Sequence, residues 1–164
     1  MIHTTEAIVL GMTQHSDNSS VVSLYTRENG RMQYVVYGHK WKSTLALLNI
    51  VEITTKQLPN REIGTLQTVA LNYIPHQLPS DVRRQCIAMF IAEALIHTLR
   101  LPLADLALYD YLRDFIIRLD TSEQIETLPN EFMIRFSELL GYGGATIEEL
   151  RHLKSMDIIR TVFS

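Results

Sequence analysis

Lys40 and Lys42 bracket Trp41, the only tryptophan in the chain. Ammonium groups meet phosphates and an indole face stacks on an unpaired base, so this triplet carries the chemistry of nucleic-acid capture. A solvated loop holding one half-buried tryptophan would use the same residues, and the triplet alone leaves the two readings level. Arg27, Arg31, Lys56 and Arg61 extend the cationic set, each near the end of a strand-like run or a turn. Tyr34 and Tyr37 are interleaved with them. Strand alternation points these two rings to opposite faces, so at most one shares a surface with the loop and the other belongs to the core.

No other grouping points to chemistry. The six histidines are scattered and none pairs with another at metal-ligand spacing. No nucleophile elbow, zinc-protease helix or dinucleotide glycine fingerprint is present. Gly141-Tyr-Gly-Gly144 follows a helical pattern and has no Lys-Ser/Thr after it, so it reads as a helix stop rather than a phosphate loop. The single cysteine, Cys86, falls in the most apolar helical stretch, where a thiol is inert filling. Glu93 lies in the same stretch and is expected to reach a backbone or arginine partner. These residues favour binding over catalysis, with no cofactor, no metal and no small-molecule substrate.

The elements that would carry the cationic set are strands. Thr5–Thr13 places Ile8, Leu10 and Met12 on one face of a half-buried strand. A polar turn at 15–20 leads to a second strand, Val21–Thr26. Asn29-Gly30, the strongest short hairpin signal, joins it to a third, Arg31–Tyr37. Leu48–Lys56 is a fourth, and Glu62–Tyr73 a fifth, with Gly64 expected at a bulge. Five strands without an intervening helix fit a small closed barrel of the oligonucleotide/oligosaccharide-binding (OB) type, although an SH3-like barrel reads similarly.

Composition changes at 75–80. Ser80 is the expected N-cap of a first helix with Asp81 in its first turn, and the apolar run from Cys86 to Leu95 predicts burial on most sides. A second helix, near 104–119, has Tyr109, Leu112, Ile116 and Leu119 as its stripe and an Asp114–Arg118 pair on its wet side. Pro129 opens a third that buries Phe132, Met133, Phe136, Leu139 and Leu140 and stops at Gly141. Thr146 with Glu149 forms a capping box for a short fourth helix, and Ser155 starts a last one. The fold class is therefore α+β, all-β then all-α: a five-stranded OB-fold barrel over residues 1–76, then a helical bundle over 77–164.

With 164 residues, 46% apolar and 20% charged, the chain can bury a substantial core. No apolar run reaches the length of a membrane span, and the N-terminus lacks the regions of a signal peptide, so a cytoplasmic location is expected. The formal charge of −3 divides unevenly, +1 over residues 1–78 and −4 over 79–164, so a polyanion is expected to meet the first half.

Several segments, in order, resemble the bacterial RecO recombination mediators. Thr5-Glu-Ala-Ile-Val-Leu10 is similar to that family's opening strand. Ser16-Asp-Asn-Ser-Ser20 is similar to the segment before its second strand, and Leu24-Tyr-Thr-Arg-Glu-Asn-Gly-Arg31 to its hairpin. Gly38-His-Lys-Trp-Lys-Ser43 stands in place of its glycine–basic–serine loop, and Val51-Glu-Ile53 and Arg61-Glu62 follow. In the second half, Ile91-Ala-Glu-Ala-Leu95, Leu108-Tyr-Asp-Tyr-Leu112 and the Arg135–Gly143 run look like the corresponding segments.

The resemblance implies an OB-fold followed by a helical domain. It also implies non-enzymatic work on single- and double-stranded DNA: annealing strands coated with single-strand-binding protein, and helping RecR load RecA. It further implies a hydrophobic pocket in the helical half for the acidic, apolar C-terminal tail of single-strand-binding protein. Arg135 is the candidate to meet the tail's carboxylates, with Phe136, Leu139 and Leu140 beside it. Glu131 and Glu138 flank Arg135 at helical spacing and would compete for it. Family members are usually longer, and many carry four zinc-binding cysteines late in the helical half. This chain has none there, and its 43–48 loop is shorter than usual. The rival expectation is an interaction scaffold that does not bind DNA.

Overall fold

A computed structural model describes residues 1–57 and 59–141. Five strands come first: β1 (Ile2–Ser16), β2 (Ser19–Thr26), β3 (Gly30–Tyr37), β4 (Ile50–Lys56) and β5 (Gly64–Leu71). Three helices follow: α1 (Val82–Thr98), α2 (Leu106–Thr121) and α3 (Leu128–Leu139). The strands close into a barrel in the order β1-β2-β3-β5-β4, with β3 and β5 parallel and the other pairs antiparallel. This is the expected OB barrel with helices after it.

The barrel has two apolar surfaces where a half-buried strand was expected to have one. Ala7 and Val9 of β1 face the barrel interior with Val22, Leu24, Tyr34, Val36, Val51 and Ile53. Ile8 and Leu10 face outwards and join Tyr25, Leu48 and Ile50 in a second core with the helices. The alternating pattern of β1 is therefore apolar on both faces over this stretch because the helices cover the outer one. The β1–β2 register skips Leu10, between the Val9–Leu24 and Gly11–Ser23 pairs, and Met12 is 37% exposed.

Thr26 pairs with Gly30 across a three-residue loop. Gly30 has φ +71°, and a Cβ there would lie 2.3 Å from the carbonyl oxygen of Leu103. The glycine therefore serves both the turn and the close approach of the α1–α2 connection. Gly64 opens β5 and makes no bulge. A Cβ on it would meet Gln57 Oε1 at 2.7 Å and the Lys56 carbonyl at 3.1 Å, so the residue is small for contact reasons. The extra residue of β5 is Gln67, skipped between the Thr54–Thr68 and Thr55–Leu66 pairs.

Helix α1 starts one residue later than the sequence suggests. Asp81, in extended conformation, is its N-cap and accepts the Arg83 N–H, whereas the Ser80 hydroxyl turns to the Gln77 carbonyl. The helix buries one face through Ala88, Ile91, Ala92, Ala94 and Leu95, not most of its circumference, and Cys86 is exposed. Glu93 is exposed as well and sits 3.7 Å from His97. On α2, Arg118 bonds Glu131 of α3 at 2.8 Å rather than Asp114. Helix α3 is capped by Leu140 and stopped by Gly141, φ +85°, whose N–H bonds the Glu138 carbonyl as in a left-handed helix stop. The expected elements at 146 and 155 lie outside the described residues.

Two polar devices tie the barrel to the helices. Asp120 of α2 is fully buried and accepts the N–H groups of His76, Gln77 and Leu78 and the Tyr73 hydroxyl, anchoring the connection after β5. Beside it Arg84, 3% exposed, donates to the Leu119 carbonyl, to Asp81 and to Gln77. On the other side, Glu6 of β1 accepts from Tyr109 Oη at 2.8 Å, Arg113 Nε at 3.0 Å and Asn72.

Candidate nucleic-acid interface

The β3–β4 connection leaves the barrel at Gly38, φ +74°, whose N–H bonds the carbonyl of Asn18 in the β1–β2 turn. The chain then folds into consecutive turns, with Lys42 N–H on the His39 carbonyl at 3.2 Å and Leu45 N–H on the Trp41 carbonyl at 2.8 Å. Leu45 enters the barrel core and half-buried Trp41 packs against that core, so an apolar base holds the loop in place. Asn49 Nδ2 donates to the Thr44 carbonyl, and Leu48 is pinned by its N–H on the Val9 carbonyl. Leu48 adopts φ +60°, a sparsely populated conformation for leucine, which its complete burial and that bond hold in place.

On this base Lys40 and Lys42 are exposed, and Lys40 Nζ lies 4.3 Å from the centre of the Trp41 ring. A cation over an indole face is an electrostatic attraction that orients the ammonium without neutralising it. Below the loop, a cavity of about 210 Å³ runs between it and the β1–β2 tip, lined by Met12, Gln14, Ser20 and Val36 as well as the loop residues. Residues before Tyr34 in the sequence therefore contribute to this region, and their types gave no cationic or aromatic signal to mark them.

The remaining cations do not join the triplet. Lys56 and Arg61 are exposed at the β4–β5 turn, where Lys56 pairs with Thr65 and Thr65 with Val35, so β5 stands between them and β3, the strand that leads into the loop. Arg27 and Arg31 flank the β2–β3 turn, at the other end of β3 from the loop, and engage the helices. Arg27 bonds Asp110 at 2.7 Å and lies over the Tyr109 ring. Arg31 donates to the Ile96 and Leu99 carbonyls at the C-terminus of α1, a helix end that attracts positive charge. Tyr34 is buried in the barrel and Tyr37 is 52% exposed, as their alternation requires.

In the helical half, Arg135 is exposed and pairs with Glu138 at 3.0 Å. Phe136 is fully buried, with its ring 5.1 Å from that of Phe132, while Leu139 and Leu140 are half-buried against the same core. A larger cavity, about 640 Å³, lies between the inner side of the β3–β4 loop and α1, with Leu47, Leu71, Leu78, Ala88 and Met89 among its walls. Among the described residues no three His, Cys, Asp or Glu side chains converge as a metal site would need, and no helix is long and apolar enough to cross a membrane.

A closed five-stranded OB barrel, with a cationic aromatic loop and a helical segment packed on its outer face, defines the class. Residues 1–74 match the family model described as the N-terminal domain of recombination protein O. The chain is similar to the DNA repair protein RecO of Porphyromonas gingivalis, 34% identical over 90% of this chain and 66% of that protein. It is also similar to the RecO of Phocaeicola vulgatus, 29% identical over 99% of this chain and 70% of the relative. For the RecO of Bacteroides fragilis the figures are 28%, 86% and 61%. The chain belongs to the RecO family, and it spans about two thirds of the length of these curated relatives.

Proposed function

We propose that this chain is a non-enzymatic recombination mediator in DNA repair, acting in the cytoplasm on the nucleoid. In this reading residues 1–76 bind DNA and residues 77–164 bind protein partners. The observation that carries it is the Lys40–Trp41–Lys42 triplet, two exposed ammonium groups about an indole on a loop rooted in the barrel core. Lysines track phosphates of single or double strands, and stacking distinguishes unpaired bases. Lys56 and Arg61 form a second, separate cationic contact for a strand that runs along the barrel. Arg27 and Arg31 spend their guanidinium groups on the helical half, so their contribution to DNA is the smaller one.

Annealing of strands coated with single-strand-binding protein, capture of that protein's C-terminal tail, and help to RecR in loading RecA complete the proposal. For the tail, Arg135 supplies the cation and half-buried Leu139 and Leu140 the apolar edge, with Phe136 supporting them from the core. The second reading, a scaffold that binds proteins without DNA, is favoured by the apolar cavity between the β3–β4 loop and α1. The two readings separate on salt. For single strands the logarithmic salt slope is about −0.7 per phosphate neutralised, so Lys40→Gln with Lys42→Gln should make it shallower by about 1.4. Affinity with no salt dependence, or none to begin with, would favour the scaffold.

A further inference from the structure

The volume and walls of the cavity beside Trp41 suit one flat heterocycle. Its volume of about 210 Å³ falls below the roughly 300–1,000 Å³ of sites that hold whole drug-sized molecules. Met12, Trp41 and Leu45 give it apolar walls, while Gln14, Ser20 and His39 bring amide, hydroxyl and imidazole groups to the same space. An unpaired base needs this combination, apolar contact for its faces and hydrogen-bonding groups for its edge. The cavity is preformed. The Gly38–Asn18 hydrogen bond clamps the loop to the β1–β2 turn, and Leu45 roots it in the core. Lys42 contributes to the wall and exposed Lys40 stands over Trp41, so positive charge lies where the phosphates beside an inserted base would pass.

We infer that this cavity is a subsite for one unpaired nucleobase of a DNA strand, a site that sets a preference for single strands over duplex. The inference rests on the DNA-binding reading above and adds to it. Lysine contacts to phosphate are open to both strand forms. A base can enter the cavity only with its edge free and its stacking broken, which a duplex resists. Strand preference at this loop therefore comes from the cavity, and salt dependence comes from the lysines.

The test compares the full chain's affinity for a short thymidine oligonucleotide with that for an abasic oligomer of the same length and charge. Wild type should bind the base-bearing strand about ten-fold more tightly, the size of one good stacking contact. Ser20→Leu, which fills the cavity from β2, should abolish that ratio and leave the salt slope unchanged. Met12→Phe fills it from β1 and serves if the Ser20 variant does not fold. Equal affinity of wild type for both oligomers would overturn the base site while leaving DNA binding in place. A ratio that survives in a folded, filled variant would also overturn it, because the base would then be held elsewhere. Binding to neither oligomer would overturn the base site and the DNA-binding reading together.

Discussion

Asp120 shows how much one residue can organise here. Burial alone pushes its carboxyl up, but hydrogen bonds from the Tyr73 hydroxyl and the N–H groups of Leu78, His76 and Gln77 outweigh burial and hold it below the usual carboxylate range. Burial, and then the bond to Asp120, push the Tyr73 hydroxyl up to about 12. Asp120→Asn keeps the shape but loses the charge that these donors face, and should destabilise the chain by about 2–3 kcal/mol in urea unfolding. A depressed folded-state pKa gives stability that is present above the unfolded value, about 3.9, and is lost as pH falls through the folded one. The gap between wild type and Asp120→Asn should therefore be constant near neutrality and close below about pH 4. A gap that persists unchanged into acid would assign the loss to packing.

Among the elements, the β2–β3 hairpin has the most at stake in a single atom. Gly30→Ala forces a side chain into a left-handed conformation and against the backbone of Leu103. It should cost about 2 kcal/mol or more, read as a lower urea midpoint at unchanged slope. Loss of less than half that would mean the α1–α2 connection moves aside freely. The hairpin was legible in the sequence because Asn29-Gly30 is a local signal, and so were the five strands and the Gly141 stop. Elements whose surroundings come from distant segments were not. The second apolar face of β1 becomes intelligible only when the helices cover Ile8 and Leu10. Exposure of Cys86 and Glu93 depends on which face of α1 meets the barrel, and that helix is too uniformly apolar for its pattern to say. At the candidate site Lys40, Trp41 and Lys42 were found by residue type. Gln14 and Ser20 reach the same cavity through the register of three consecutive strands, which sets Gln14 beside Ser20 and Ser20 beside Val36.

For the whole molecule, the outer barrel residues Ile8, Leu10, Tyr25, Leu48 and Ile50 share one core with all three helices. The charged and polar contacts of Glu6, Arg31 and Asp120 cross the same junction. Barrel and helices should therefore unfold together, with Trp41 fluorescence and helical circular dichroism tracing coincident transitions in urea. Two separated midpoints would show that the junction is weaker than its burial implies. Lys40 and Lys42 make none of the contacts by which Arg27 and Arg31 hold Asp110, Ile96 and Leu99, so phosphate binding at the loop does not compete for those groups.

Trp41, as the chain's only tryptophan, reports directly on whether the barrel loop meets DNA. Its fluorescence should be followed during titration with a short single-stranded oligonucleotide at low and at physiological salt. Quenching at low salt that weakens steeply as salt rises is expected, because stacking at the indole depends on phosphates gripped by Lys40 and Lys42. Unchanged fluorescence together with flat anisotropy of a labelled strand would contradict it and move the function to the helical half.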